Sequence, residues 1–277
     1  MSNSELGGCW GFQKPLLCRF MGKEVEMPCS DAEIVRSFVH QNWSSTFVQN
    51  RIQRNVEPRR ITISRDGIWA VVVGCILTTQ QKANPDGAVA RLLRTEPFPL
   101  SFEECCRPDA VVFMQRLLKD FGGIRFTNKI ASQLHENIQR LESRGVWVVI
   151  EAEMAKVSEQ RLRLPQPQDF VAERDAADLV DYKLRGFGPK QSRNFWQWLG
   201  FSRFEIPIDS RVAAWVNANL SFQIEKRKLG DEQYYKSTMD RLRGLCADVS
   251  VLPCVLDAAV FAARDREWRS EELTNYN

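Results

Sequence analysis

Histidine is nearly missing from this chain: His40 and His135 are the only two in 277 residues. The eight cysteines, at 9, 18, 29, 75, 105, 106, 246 and 254, include no Cys-x-x-Cys pair. These two shortages argue against a zinc site or a four-cysteine iron–sulfur cluster, which need clustered soft ligands. In a reducing cytoplasm, the expected location, the thiols read as ordinary buried side chains. Long apolar runs are lacking as well. The longest covers residues 68–77, about half of the roughly 20 residues a membrane helix needs, so it reads as a core segment and no membrane partner is expected. The first eleven residues lack a cationic start, an apolar stretch and a small-residue cleavage site, so no signal peptide is expected. Excess charge is lacking too: 38 Lys+Arg against 35 Asp+Glu leave +3. That balance is compatible with nucleic acid but is no evidence for it, because binding depends on where charge clusters. There is no internal repeat, no low-complexity tract, and no Asn-Gly or Asp-Gly hairpin between alternating strands. With 44% hydrophobic and 26% charged residues, the composition is that of a folded chain. Its length admits one large domain or two modest lobes.

What is present is mostly helical periodicity. Residues 1–30 hold Gly, Pro and scattered aromatics without a period. Asp31 can cap a helix running to about Trp43 with Ile34, Phe38 and Val39 on one face. Arg51, Arg54, Arg59, Arg60 and Arg65 then crowd a connection broken by Pro58, either a solvated linker or a phosphate-contacting edge. In the apolar run, the Val71–Val73 triplet suits a strand as well as a helix, and periodicity alone does not arbitrate. Asn84-Pro85-Asp86 reads as a stop and restart. Ile130, Leu134, Ile138 and Leu141 recur at spacings of four, four and three, which predicts a one-faced helix over 128–144. Further helices are expected from Asp169 or Glu173, over 189–199 and 209–220, and at about 228–247 and 253–267. The class is mainly α.

The informative stretch is Leu184-Arg185-Gly186-Phe187-Gly188-Pro189-Lys190, followed by a helix and then Glu205-Ile206-Pro207-Ile208-Asp209-Ser210-Arg211. Two glycines between helices permit positive φ and a tight reversal. Backbone N–H groups there can point outward together and bind phosphate without side chains. On its own Gly-x-Gly between helices is weak evidence. In combination it gains weight: Lys190 starts the second helix of the hairpin, and Asp209 lies nineteen residues on at the edge of the next helix. Alone, Asp209 is a good N-cap and Lys190 a surface lysine; together they can face one cleft.

This stretch resembles the helix–hairpin–helix DNA glycosylase superfamily, whose signature is Leu-x-Gly-x-Gly-x-Lys followed by an apolar-Asp motif about eighteen to twenty residues on. It is nearest to the compact archaeal and bacterial 8-oxoguanine glycosylase/lyase branch. Leu77-Thr78-Thr79-Gln80-Gln81 is similar to the superfamily's Leu-Ser-x-Gln segment, whose glutamine approaches the unpaired partner base. Residues 123–131, from Gly123 through Arg125, Phe126 and Thr127, resemble the wedge loop and the helix after it, and 175–190 the approach to the hairpin. The resemblance covers about residues 66–220. It implies two helical lobes with a cleft between them: an extension and part of one lobe in 1–65, a central lobe in 66–205 carrying the hairpin, and a return to the other lobe in 206–277. It implies a DNA glycosylase of base excision repair that flips a modified base, 8-oxoguanine by branch, out of double-stranded DNA, with β-elimination through a Lys190 Schiff base. Asp209 would favour the positive charge developing on the sugar, and Lys190, if neutral, would attack C1′. Gly186, Phe187, Gly188, Gln80, Arg125, Phe126 and Arg211 would contact DNA. Asn194, Trp196 and Trp198 are candidates to line the base pocket, although the tryptophans also suit packing and Phe126 also suits a core.

The residue two after the aspartate is usually histidine in this superfamily; here it is Arg211, a better phosphate ligand. The superfamily's iron–sulfur variant is not matched, since only Cys246 and Cys254 lie in the right region. The resemblance leaves room for a monovalent cation at the hairpin and for no other cofactor, and implies a monomer acting at the nucleoid. Two alternatives stand beside it. One is a glycosylase for another modified base, such as a bulky one in invading viral DNA. The other is a non-catalytic DNA-binding module, which does not explain why a lysine and an aspartate occupy both reactive positions.

Overall fold

A computed structural model describes residues 30–79, 81, 86–143 and 145–264, and every regular element among them is a helix. The first, α1 (Asp31–Asn42), buries Val35 and Val39 one turn apart, with Ile34 and Phe38 half-buried beside them. Asp31 begins this helix and reaches across the molecule, accepting the Ser221 N–H at 2.9 Å and its hydroxyl at 2.6 Å. Next comes α2 (Thr46–Arg51), which runs on into a π-helical turn, Ile52–Val56. The arginine-rich connection is thus partly helical. Arg51 is no surface residue: its guanidinium is buried at 2.8 Å from Asp257 Oδ2, whereas Arg59, Arg60 and Arg65 are exposed.

Ser64 caps α3 (Arg65–Leu77) by accepting the Gly67 N–H at 3.1 Å. Residues 67–77 are all buried. The valine triplet therefore lies in a helix, because a segment apolar all round is stabilised by burial on every side, which outweighs the modest β-preference of valine. Around it pack α4 (Ala88–Leu93), α5 (Phe102–Cys105), α6 (Ala110–Phe121), α7 (Thr127–Ser143), α8 (Val146–Gln160), α9 (Phe170–Lys183) and α10 (Pro189–Trp198). They share one core that includes Trp69, Leu118, Leu134, Ile150 and Phe195. Residues 82–85, and with them most of the expected Asn-Pro stop, lie outside the described residues.

The chain then continues as α11 (Ser210–Asn219), α12 (Glu232–Asp248) and α13 (Pro253–Arg264). These share a second core with α1 and α2, including Val35, Phe47, Val212, Tyr235 and Leu256. Early and late parts of the chain therefore close one hydrophobic cluster while the middle forms another. Polar side chains join the two. Gln197 of α10 donates to Asp257 at 2.9 Å, and Asn55 donates to the carbonyls of Gln197 and Ser202 at 3.0 Å each. The described cysteines are free thiols, and Cys75, Cys105, Cys246 and Cys254 are buried.

Candidate active site

The reversal between α9 and α10 is built on one glycine rather than two. Gly186 has φ +86°, the left-handed region where a Cβ is costly. A Cβ there would also lie 2.5 Å from Gln133 Nε2. Gly188, at φ −157°, is extended, and a Cβ on it would meet nothing within 4 Å. Helix α7 supports the turn from below. Asn137, fully buried, donates to the Arg185 carbonyl at 2.9 Å and accepts the Arg185 N–H at 2.6 Å. Arg140 donates to the Lys183 carbonyl at 3.0 Å. Among the described residues, the N–H groups of Gly186, Phe187 and Gly188 take no acceptor. Pro189 at the first turn of α10 has none to offer, as suits a helix start. The result is a cluster of open donors at a helix N-terminus, the arrangement that accepts an anion.

Lys190 stands partly buried on the first turn of α10. Its Nζ donates to Gln191 Oε1 at 3.2 Å. Gln191 in turn donates to the Cys75 carbonyl and, at 2.7 Å, to Thr79 Oγ1, fixing the lysine helix to the end of α3. Asn194, one turn on, faces the same group with its amide 3.9 Å from Cys75 Sγ. Burial pushes the Lys190 ammonium below its ordinary value; Asp209, Cys75 and Asp257 oppose that shift, and Arg211 adds to it. Burial also pushes the Cys75 thiol up to about 12, so it is a neutral neighbour rather than a nucleophile.

The segment between α10 and α11 delivers Asp209. Gly200, at φ +85°, ends α10, and the Phe201 N–H closes back onto the Trp196 carbonyl at 2.9 Å. Glu173 then accepts the N–H groups of Arg203, Phe204 and Glu205 at 2.7–3.0 Å. Tyr235 of α12 takes the Ile208 N–H and donates to the Ile206 carbonyl at 2.9 Å. Glu205 receives Arg193, Arg174 and Arg243 at 2.8, 2.9 and 3.1 Å. A segment with no helix of its own is thereby fixed at nearly every residue. At its end Asp209 caps α11, its Oδ1 accepting the N–H groups of Arg211 at 2.7 Å and Val212 at 3.1 Å. Its Oδ2 takes Arg211 Nε and Nη2, each at 2.7 Å. Burial alone would raise this carboxyl, but Arg211, the Val212 N–H and Lys190 outweigh it and hold Asp209 below its usual value. Lys190 and Asp209 therefore interact as charges without a direct ion pair between them.

The wedge candidates lie at the start of α7. Phe126 is 47% exposed and has φ +61°, rare for a bulky residue. Holding it there costs roughly 1–3 kcal/mol. It is not a core residue, and the Arg125 guanidinium sits 4.9 Å from its ring centroid. Gln81 holds the loop by donating to the Arg125 carbonyl at 2.9 Å and accepting its N–H at 3.3 Å. Gln80, the expected partner-base glutamine, lies outside the described residues.

Four further expected residues take these positions, the tryptophans in the packing role that their sequence context also suited. Trp196 is 2% exposed and edge-on to Phe195 and Phe201, and Trp198 is 8% exposed in the same core. Both pack, and neither is presented for stacking on a base. Arg211, expected on phosphate, has its guanidinium against Asp209 and 4.2 Å from the Phe261 ring centroid. Gly188 needs no special backbone freedom. Gln191, Gln81, Asn137, Asp257 and Phe261 were not singled out from sequence. Only Gln81 carried a signal, its place in the Thr-Thr-Gln-Gln segment; the others act across distant parts of the chain.

No protein-family model and no curated protein sequence matches the chain. Among solved structures it is similar to the 8-oxoguanine DNA glycosylase of Methanocaldococcus jannaschii, at 16% identity and a TM-score of 0.55, covering 84% of this chain and 94% of that one. It is also similar to the 8-oxoguanine glycosylase/lyase of that organism in complex with a 15-mer DNA containing 8-oxoguanine, at 16% identity and a TM-score of 0.56, over 84% and 96%. The chain therefore has the helical fold of an archaeal 8-oxoguanine DNA glycosylase.

Proposed function

We propose that this chain is a DNA glycosylase with lyase activity, acting on a modified purine, 8-oxoguanine first, in double-stranded DNA. One observation carries the reading: a partly buried lysine and an ionised aspartate, nineteen residues apart, meet at the N-termini of consecutive helices beside a hairpin with open N–H groups. The likeness to a glycosylase/lyase bound to 8-oxoguanine DNA supports the same substrate class.

In this reading the hairpin N–H groups of Gly186, Phe187 and Gly188 hold the DNA backbone independently of sequence. Phe126 enters the stack with Arg125 beside it, offsetting the few kcal/mol that base extrusion costs. Asp209 stabilises the positive charge that grows on the sugar as the bond to the base lengthens. The Lys190 lone pair attacks C1′, and the glycosidic electron pair leaves with the base, which takes a proton. The C1′–O4′ bond then breaks as the nitrogen lone pair forms an iminium with C1′, and O4′ takes up a proton. Loss of the C2′ proton then expels the 3′ oxygen and breaks the strand.

The test is borohydride trapping and base release on a panel of duplexes carrying 8-oxoguanine, other modified bases or an abasic site. Wild-type protein is expected to release 8-oxoguanine and to be trapped covalently. Lys190→Gln should lose trapping, and Asp209→Asn should lose release while keeping DNA affinity. Equal trapping of Lys190→Gln refutes the lysine's role. Release of a bulky base in preference to 8-oxoguanine replaces the substrate, and no release by any duplex leaves a DNA-binding module.

A further inference from the structure

Asp209 takes three of its four close hydrogen-bond contacts from one residue. Arg211 supplies its own backbone N–H to Oδ1 and two guanidinium N–H groups to Oδ2, all at 2.7 Å; the fourth is the Val212 N–H. A carboxylate offers about four acceptor sites, so this set occupies it. The guanidinium plane is seated on Phe261, whose ring stacks on Phe47 at 4.4 Å and 10°. Neither an imidazole nor an ammonium provides such a planar fork. Lys190 meanwhile gives its hydrogen bond to Gln191 rather than to Asp209.

The alternative arrangement is easy to state. An unoccupied Asp209 Oδ2 beside Lys190 would attract the ammonium into a direct ion pair, and a paired ammonium keeps its proton and has no lone pair. We propose that Arg211 is a positioning residue that keeps Asp209 ionised but occupied, so that Lys190 is not drawn into an ion pair and its amine remains available. The charged and titratable groups facing Lys190 are Cys75 from α3, Asp209 and Arg211 from the start of α11, and Asp257 from α13. Of these only Arg211 both bears on the lysine directly and holds the acid beside it. The tuning itself is a property of the free protein. Its consequence for DNA cleavage rests on the glycosylase/lyase reading above.

The experiment compares wild type, Arg211→Lys and Arg211→Gln. Acetic anhydride labelling of the free protein across pH, read by mass spectrometry of the Lys190 peptide, gives the midpoint at which the amine becomes reactive. Arg211→Gln is expected to move that midpoint up by about one unit, about tenfold less free amine at a pH below both midpoints. Arg211→Lys, keeping the charge without the fork, should fall between, and it carries the test if the glutamine variant does not fold. Trapping on abasic-site DNA should shift in parallel, while the salt dependence of DNA binding stays unchanged. Equal midpoints in the variants and wild type overturn the proposal. So does a salt slope reduced by about one with no change in midpoint, which would make Arg211 a phosphate ligand. A labelling shift with no protein trapped on DNA sustains the tuning and removes the lyase reading.

Discussion

Asn137→Ala tests whether the hairpin is held from beneath. The side chain is fully buried and makes two bonds to the Arg185 backbone, at 2.6 and 2.9 Å. Each is worth about 1 kcal/mol net, so the substitution should destabilise the fold by about 2 kcal/mol. For a chain of this size that lowers the melting temperature by roughly 4–8 °C. The larger effect is local. Releasing one backbone residue from a fixed conformation restores about 1–2 kcal/mol of conformational entropy, and DNA binding must remove it again. Affinity measured by fluorescence anisotropy should therefore fall about tenfold, equally for any DNA sequence, because the Gly186, Phe187 and Gly188 N–H groups follow Arg185 directly. Asn137→Asp sharpens the test: it keeps an acceptor for the Arg185 N–H but turns a carboxylate toward the carbonyl, and at neutral pH it should be at least as harmful. An Asn137→Ala protein that melts like wild type and binds DNA within twofold refutes the reasoning.

Two further outcomes follow from the same geometry. In Gly186→Ala the contact with Gln133 is with the far end of a flexible side chain, so the lasting penalty is the left-handed backbone, about 1–2 kcal/mol; thermal melting should show no recovery when Gln133→Ala is added, and full recovery would show that crowding alone mattered. Lys190→Met should stabilise the protein, because burial lowers the lysine's pKa in the fold relative to the unfolded chain and the unfolded chain then binds the proton more tightly. Wild-type stability accordingly rises with pH between the folded and unfolded values. The gain from methionine should be constant below the folded value and shrink as pH approaches about 10.5, and denaturant melts showing the gain growing with pH would contradict this.

The helices around the candidate site were legible because their signals are local. The three- and four-residue spacings of Ile130, Leu134, Ile138 and Leu141 describe α7, and Pro189 and Asp209 mark the starts of α10 and α11. The pairing of Lys190 with Asp209 was legible only through the motif, since nothing in nineteen intervening residues states that Glu173 and Tyr235 will fix the connection. Trp196 and Trp198 show the opposite limit. Their position on the lysine helix was correct, but α10 is buried on nearly all its faces, so proximity in sequence to Lys190 did not mean exposure to a ligand. Arg211 was legible as a departure and not as a partner of Asp209, because a two-residue offset across a helix start allows the side chain to turn back or away.

The loops expected to meet DNA are held by one device used twice. Gln81 pairs with the N–H and carbonyl of Arg125, and Asn137 does the same for Arg185. In each case an amide side chain, planar and carrying both a donor and an acceptor, satisfies one residue's backbone as a neighbouring strand would. Among the described residues there is no strand to perform that task, and a helix has no free backbone groups on its flank to offer. An amide projecting from a helix, as Asn137 does, or from the stretch beyond one, as Gln81 does, is the available substitute. The device also settles what each loop presents. With the arginine's own peptide groups satisfied, its exposed side chain and the residue that follows, Phe126 in one loop and Gly186 in the other, are the parts left to face solvent. The rigidity of both loops therefore resides in the amides underneath, and a search confined to their exposed side chains would overlook them.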